Sequence, residues 1–123
     1  MATRKVLIID DEPGIRRIAE ISLKAIATWT VLTAASGQEG LAIARTEQPD
    51  AILLDVMLPD MDGVATFQQL QSNPATSHIP VVLLTAKVQA SDQRRFAALG
   101  VKAMIAKPFK PAQLAEQLLS ALT

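Results

Sequence analysis

The chain has 123 residues, of which 50% are hydrophobic and 3% aromatic, and its 12 basic and 12 acidic side chains give zero net charge. This length fits one domain over residues 1–123 with an aliphatic core, and the charge balance argues against binding to nucleic acid or an anionic membrane through bulk charge. There is no cysteine, which excludes disulfides and thiolate metal sites, and no apolar run is long enough for a signal peptide or a membrane span, so we expect a cytoplasmic protein.

The apolar residues follow two alternating patterns along the chain. Short continuous runs rich in Ile, Leu, Val and Ala occupy residues 6–9, 31–34, 51–54, 81–84 and 103–106. Runs of this length, bounded by polar or turn residues, are typical of strands that are buried on both faces of a sheet. We therefore predict five strands.

Amphipathic segments separate these runs and predict helices at residues 13–27, from 36 onward, 63–72, 91–99 and 110–122. Pro13 suits the first turn of the first helix. Ser36 and Glu39 have the spacing of a capping box, in which each side chain satisfies a free backbone N–H. Gly100 is expected to end the fourth helix. One face of the first helix is predicted to consist of Ile15, Ile18, Ala19, Ser22, Leu23 and Ile26.

Five strands that alternate with five helices predict an α/β fold, a doubly wound parallel sheet with helices on two faces and right-handed crossovers. In such a sheet ligands bind beyond the carboxyl ends of the strands, where the strand order reverses. Three carboxylates gathered at that edge would repel one another and favour a divalent cation, which indicates phosphoryl or metal chemistry. Polar residues follow four of the predicted strands, namely Asp10, Asp11, Asp55, Thr85 and Lys107.

Four segments resemble the signature blocks of response-regulator receiver domains, the signalling domains of two-component systems and phosphorelays. They are Ile8-Ile9-Asp10-Asp11-Glu12-Pro13, Leu53-Leu54-Asp55-Val56-Met57-Leu58-Pro59-Asp60-Met61-Asp62-Gly63, Leu83-Leu84-Thr85-Ala86 and Lys107-Pro108-Phe109. The blocks occur in order over essentially the whole chain. The resemblance implies the flavodoxin-like strand order 2-1-3-4-5 and a phosphoacceptor signalling domain rather than an enzyme.

The resemblance also implies how the acidic residues act. Asp55 would accept a phosphoryl group from the phosphohistidine of a histidine kinase or a histidine phosphotransfer protein. Asp11, Asp55 and the backbone carbonyl of Met57 would ligate Mg²⁺ directly, and Asp10 would act through a metal-bound water.

The other residues of the blocks have implied roles around the phosphoryl group. Lys107 would contact one phosphoryl oxygen through its ammonium, and Thr85 would contact another through its hydroxyl. Pro108 is expected to form a cis peptide bond that aims Lys107. The small Ala86 would leave room for the phosphoryl group, and Gly63 would supply backbone freedom at the start of the third helix.

The resemblance implies an output surface on the fourth helix, the fifth strand and the fifth helix. Its expected partner is another protein or a second copy of this chain in a homodimer, and we expect no nucleic acid and no membrane. No effector domain follows Thr123 in the sequence, which favours a stand-alone receiver.

Three positions differ from the common pattern or modify it. Many receivers carry an aromatic residue three positions before the lysine, where this chain has Met104, so we expect signalling mainly through the loop after Thr85 and the fourth helix. Met57 cannot hydrogen-bond an attacking water, and Lys87 adds a cation near the entrance. Together they predict slow hydrolysis of the aspartyl phosphate.

Three alternatives stay open at this point. A haloacid-dehalogenase-type phosphohydrolase would have an Asp-x-Asp arrangement on its first strand, whereas Glu12 stands at that spacing from Asp10. A pseudo-receiver would act as a constitutive protein-interaction module without phosphorylation, and Met104 is the one feature that favours it. The third alternative is a receiver fragment of a longer hybrid protein.

Overall fold

The computed structural model describes residues 4–27, 29–86, 90–107 and 109–122. The strands in these ranges are β1 (Lys5–Ile9), β2 (Thr30–Ala34), β3 (Ala51–Asp55), β4 (Val81–Thr85) and β5 (Ala103–Ala106). The helices are α1 (Pro13–Ala27), α2 (Gly37–Glu47), α3 (Gly63–Ser72), α4 (Ala90–Ala97) and α5 (Pro111–Leu122). None of these helices is both long enough and apolar enough to cross a membrane.

The strands of the described ranges form one parallel sheet in the order β2-β1-β3-β4-β5. This confirms the predicted fold class and the strand order implied by the resemblance. Ile9 pairs with Ala34 on one side and with Leu54 on the other. The three neighbouring strands therefore end at the same level, and the residues that follow β1 and β3 are close together.

The sheet is buried on both faces because helices cover each of them. Val6 and Ile8 point to the face covered by α1 and α5, whereas Leu7 and Ile9 point to the face covered by α2, α3 and α4. All four side chains are fully buried. Burying one such side chain contributes ~1.5–3 kcal/mol. Covering on both faces explains why β1 is a continuous apolar run without polar alternation.

The ends of the helices agree with their predicted caps, with one shift. The Ser36 hydroxyl accepts the Glu39 N–H, and the Glu39 carboxylate accepts the Ala35 N–H, so both capping side chains satisfy backbone donors as predicted. The fourth helix was predicted at residues 91–99 but spans Ala90–Ala97. Its end is earlier because the Leu99 and Gly100 N–H groups bond three residues back, which tightens the chain into a turn. Gly100 then has a φ of 98°, which a glycine adopts without strain.

The buried face of α1 is narrower than the sequence predicts. Ala19, Ser22 and Leu23 are buried and Ile15 packs against the core, but Ile18 is 42% exposed. The prediction for Ile26 falls on a side chain outside the described part of the chain. The helix packs against α5 and the sheet edge at β2, so its contact centres on the three buried residues and leaves Ile18 at the margin. The buried Ser22 hydroxyl is satisfied because it donates to the Ile18 carbonyl oxygen at 2.8 Å.

Candidate functional site

The carboxyl ends of β1, β3, β4 and β5 bring the predicted polar residues to one edge of the sheet. Asp10 directly follows β1, and Asp55 is the last residue of β3. Thr85 ends β4 and pairs with Ala106, the residue before Lys107. The aligned register of parallel strands thus converts residues far apart in sequence into neighbours.

Four carboxylates form a cluster at this edge. One carboxylate oxygen from each of Asp10, Asp11, Glu12 and Asp55 lies within 4.8 Å of the others. Asp10 is fully buried and Asp55 is 4% exposed, whereas Asp11 and Glu12 are exposed. Two unit charges this close repel by about 3 kcal/mol at an effective dielectric constant of about 20. The cluster therefore requires positive charge.

Lys107 supplies part of that charge. Its ammonium nitrogen lies 2.7 Å from Asp10 Oδ2, 3.2 Å from Asp55 Oδ1 and 3.7 Å from Glu12 Oε1. Burial alone would lower the pKa of Lys107, but the hydrogen bonds and charges of Asp10 and Asp55 outweigh it and raise the pKa above the ordinary value. Lys107 is therefore held as a cation between two buried carboxylates.

Asp55 is a carboxylate whose negative charge is poorly stabilised. Burial, followed by the charge of Asp10, raises the pKa of Asp55 above the ordinary value. The Met57 N–H, which donates to Asp55 Oδ1 at 3.2 Å, and the Lys107 ammonium offset part of this rise. An incompletely neutralised anion at an accessible strand end is suited to bind a cation or to attack an electrophile.

Asp10 is held in place by both its backbone and its side chain. Its N–H donates to the Ala34 carbonyl oxygen at 3.0 Å, and its own carbonyl oxygen accepts a 2.7 Å bond from Arg16 Nη1. Its Oδ1 accepts the Glu12 N–H at 2.9 Å. Apart from the Lys107 ammonium, Oδ2 has no hydrogen-bond partner in the described ranges, although it is buried. This atom retains acceptor capacity directed at the cluster.

An open cleft of about 230 Å³ gives access to the cluster. Its lining consists of Asp11, Glu12, Asp55, Met57, Ala86 and Lys107. Met57 is 65% exposed, whereas Thr85 is 4% exposed, and the Thr85 carbonyl oxygen accepts the Lys107 N–H at 2.9 Å. A ligand that enters the cleft therefore meets two apolar side chains, Met57 and Ala86, together with three carboxylates and an ammonium.

Gly63 is required for a different reason from the one predicted. It was expected to supply backbone freedom, but a Cβ at this position would collide with the Asp55 carbonyl oxygen and with Val56. The Gly63 N–H also donates to the Val56 carbonyl oxygen at 2.7 Å. The missing side chain lets α3 begin directly against the end of β3, which closes the loop that borders the cleft.

Comparison with known proteins identifies the family. A family model described as the response regulator receiver domain matches residues 6–119. The chain belongs to the response regulator receiver domain family. Among curated relatives of this receiver, the probable transcriptional regulator ycf27 of Porphyridium aerugineum is 39% identical over 122 residues, 99% of this chain and 49% of that protein. The chain spans about half the length of the curated relatives it matches.

Solved structures show the same fold. The chemotaxis response regulator CheY4 of Vibrio cholerae superposes with a TM-score of 0.91 at 30% identity, covering 98% of this chain and 99% of that one. The receiver domain of a sensor histidine kinase of Pseudomonas aeruginosa, solved with magnesium coordinated in its active-site cleft, has a TM-score of 0.87 at 27% identity and covers 98% of both chains. The family assignment makes this receiver a signalling domain of two-component systems and replaces the haloacid-dehalogenase alternative.

The receiver brings together Asp10, Asp11, Asp55 and Lys107, as the sequence predicted. Thr85 reaches the same edge and is tied to Lys107 through the backbone. The sequence did not single out Glu12 as a cluster member, although it continues the acidic run after Asp11. Two expectations, the cis peptide bond at Pro108 and the cation at Lys87, fall outside the described residues.

The donor set fits Mg²⁺. The cluster offers only oxygen ligands, and Mg²⁺ prefers one or two carboxylates together with several retained waters. The buried Asp10 Oδ2, which has spare acceptor capacity, is suited to a metal-bound water. The open cleft leaves space for those waters on the exposed side.

Proposed function

We propose that this receiver accepts a phosphoryl group on Asp55 from the phosphohistidine of a histidine kinase or a histidine phosphotransfer protein, in a Mg²⁺-dependent reaction. The observation that carries the proposal is the position of Asp55. Its carboxylate belongs to a cluster of four, contacts the Lys107 ammonium at 3.2 Å and borders an open cleft.

The reaction needs little covalent assistance from the protein. A carboxylate oxygen of Asp55 forms a bond to phosphorus as the phosphorus–nitrogen bond of the donor breaks, and the imidazole keeps that electron pair and takes up a proton. The chain's own contribution is to hold the attacking carboxylate and to neutralise charge on the transferring group. Burial raises the pKa of Asp55, which leaves its anion more reactive than one in water.

Asp11, Asp55 and the Met57 carbonyl would hold Mg²⁺, and Asp10 would hold one of its waters. Bound Mg²⁺ would supply the positive charge that the phosphoryl oxygens need during transfer. The carboxylate cluster and the magnesium in the Pseudomonas aeruginosa receiver support this assignment.

Lys107 and Thr85 would act on the group after transfer. The Lys107 ammonium already lies 3.2 Å from Asp55 Oδ1 and would move to a phosphoryl oxygen, since a phosphoryl group carries more charge than a carboxylate. Thr85 would turn its hydroxyl to a second oxygen. Ala86 lines the cleft and is exposed, so its small side chain leaves the approach open.

The output is a changed protein-binding surface on α4, β5 and α5, read by another protein or by a second copy of this chain. We assign the reaction to the cytoplasm, where histidine kinases present their phosphohistidine. The transcriptional function named for the ycf27 relative belongs to a protein about twice as long, and it is not carried over to this receiver.

Incubation with acetyl phosphate and Mg²⁺, followed by intact mass measurement, tests the proposal. The wild-type protein should gain one phosphoryl group, and Asp55→Asn or removal of Mg²⁺ should abolish the gain. Asp50→Asn, which changes an exposed aspartate at the opposite end of the sheet, should not. A folded wild-type protein that gains nothing from acetyl phosphate or a phosphohistidine donor would favour the pseudo-receiver alternative.

A further inference from the structure

Residues 56–62 connect the phosphoacceptor strand to α3 and carry the Met57 carbonyl. The loop is closed at its base by the bond from the Gly63 N–H to the Val56 carbonyl oxygen, 2.7 Å long. At its start the Met57 N–H reaches Asp55 Oδ1 at 3.2 Å. Further contacts are therefore needed to fix its tip, because a surface loop of this length is otherwise mobile.

Asp60 makes such a contact with a different helix. Its Oδ1 accepts the Gly37 N–H and its Oδ2 accepts the Gln38 N–H, each at 2.9 Å. These are the first two N–H groups of α2, which have no partner inside the helix. The third, on Glu39, is taken by the Ser36 hydroxyl. The start of α2 is thus capped partly by its own serine and partly by the loop from the functional site.

The charge of Asp60 suits this position. The N–H groups of Gln38 and Gly37 lower the pKa of Asp60 below the ordinary value, so the side chain stays ionised near neutral pH. The positive end of the helix dipole attracts the carboxylate in addition to the two hydrogen bonds. The exposed Asp60 side chain is therefore held in one place by the two backbone N–H groups at the start of α2.

Apolar packing reinforces the same junction. Met61 lies directly against Gly37, since a Cβ added to Gly37 would collide with the Met61 side chain and with Thr66 of α3. Gly37 is buried. The loop tip, α2 and α3 therefore meet at one small residue, and the loop cannot shift without breaking the two Asp60 bonds.

We propose that Asp60 is a positioning residue for the magnesium site, because it anchors the loop that presents the Met57 carbonyl. The inference rests on the proposed function, in which that carbonyl and Asp55 hold the cation. Mg²⁺ tolerates little departure from ideal ligand geometry. A loop anchored before binding does not have to be ordered by the metal, so the anchor raises the affinity without touching the ion.

Mg²⁺ titration of the wild type, Asp60→Ala, Asp60→Asn and Asp50→Ala by calorimetry tests the inference. Asp50 is a matched control because it is also an exposed aspartate that accepts a backbone N–H, that of Lys5 at 2.7 Å. We expect about tenfold weaker Mg²⁺ binding in Asp60→Ala, the lower end of the ~10–100-fold range for residues that orient metal ligands. Asp60→Asn should lie between Asp60→Ala and the wild type, because it keeps one acceptor oxygen, and Asp50→Ala should match the wild type.

Two further readouts separate positioning from simple stabilisation. Without metal, amide hydrogen exchange at Met57 as well as at Gly37 and Gln38 should be faster in Asp60→Ala than in Asp50→Ala. With acetyl phosphate as donor, saturating Mg²⁺ should restore the wild-type rate of phosphorylation in Asp60→Ala. Only the Mg²⁺ concentration that gives half the maximal rate should change.

The outcomes distinguish the inference from the proposed function. Failure of the wild type to bind Mg²⁺ would overturn both. Wild-type Mg²⁺ affinity in a folded Asp60→Ala variant would overturn the inference alone and reduce Asp60 to a helix cap. If Asp60→Ala does not fold, equal affinities of Asp60→Asn and the wild type would overturn the inference in the same way.

Discussion

The Lys107 ammonium nitrogen lies 2.7 Å from Asp10 Oδ2. This ion pair holds the Lys107 side chain between the ends of β1 and β3, where Asp10 and Asp55 lie. The Asp10 side chain is fully buried and the Lys107 side chain is 11% exposed. A buried ion pair of this type depends on both partners, because either charge alone would be left without compensation.

Lys107→Ala should therefore lower the free energy of unfolding by about 3 kcal/mol in buffer free of divalent cations, the usual effect of leaving a buried charge unpaired. Added Mg²⁺ should restore part of the loss, since it returns positive charge to the cluster. Urea unfolding measures both effects. Lys102→Ala removes an exposed lysine at the opposite end of β5 and should change stability by less than about 0.5 kcal/mol. Equal effects of the two variants would contradict the prediction.

Asp55 should make stability depend on pH with a definite sign. Its folded-state pKa is raised above the ordinary value of 3.8, so its contribution to stability is present below that pH and is lost as the pH rises through the raised pKa. In metal-free buffer Asp55→Asn should therefore stabilise the protein at neutral pH, and the gain should shrink toward pH 3.8.

Asp60→Asn should have the opposite effect on stability. Urea unfolding of both variants in metal-free buffer, from neutral pH down to acid pH, measures the two effects. The pKa of Asp60 is lowered, so its contribution is present above 3.8, the ordinary value, and is lost as the pH falls through the folded-state pKa. Asp60→Asn should destabilise the protein at neutral pH. Stability changes of the same sign in both variants would show that these carboxylates do not act as described.

Arg16 should matter for stability much more than its neighbour Arg17. Arg16 donates a 2.7 Å bond to the carbonyl oxygen of Asp10, whereas Arg17 is exposed. Arg16→Ala should cost about 1.5 kcal/mol, as expected for a hydrogen bond from a charged donor. Arg17→Ala should stay within about 0.5 kcal/mol of the wild type in denaturant unfolding, and a smaller effect of Arg16→Ala than of Arg17→Ala would disprove the anchoring of Asp10.

Alanine substitutions at two glycines should change stability in opposite directions. Gly63→Ala forces a Cβ against the Asp55 carbonyl oxygen, and such overpacking costs about 1–3 kcal/mol. A Cβ on Gly14 meets nothing within 4 Å, so Gly14→Ala in the first helix should stabilise by about 0.5–1 kcal/mol. Thermal unfolding midpoints provide the comparison, and a tolerated Gly63→Ala would mean that α3 can move away from the strand end.

Met57 should protect the aspartyl phosphate from water. It lines the cleft, is 65% exposed and has no group that could orient an attacking water. We expect slow loss of the phosphate from the wild type. Met57→Glu should hasten this loss, but by less than the ~10²-fold acceleration that a well-positioned general base provides. Decay after removal of acetyl phosphate, followed by intact mass, measures the rate. Gln68→Glu, at an exposed position of α3, is the control. Loss of the phosphate from the wild type within seconds would contradict the prediction.

Much of the fold could be predicted because each local pattern had one physical cause. The run at residues 51–54 is continuously apolar because helices cover both faces of the sheet, and the strand extends one residue further to Asp55. Ser36 and Glu39 satisfy backbone donors at the start of α2 as their spacing predicts. Ile18 shows the limit, since periodicity places it on the apolar face but only the packing partner decides how wide the buried stripe is.

The sequence by itself determined the strands, the helices and the residues that follow each strand, because periodicity and turn chemistry act over a few neighbouring positions. Only the tertiary structure decided that Asp60 binds the start of α2, since no local pattern relates it to Gly37, 23 residues earlier. The sequence predicted that Asp10, Asp55 and Lys107 meet at one edge of the sheet, but only the tertiary structure decided that Glu12 joins them and how far each carboxylate lies from the Lys107 ammonium. Distances between side chains on different elements depend on strand register and helix packing, and these arise from the whole core at once.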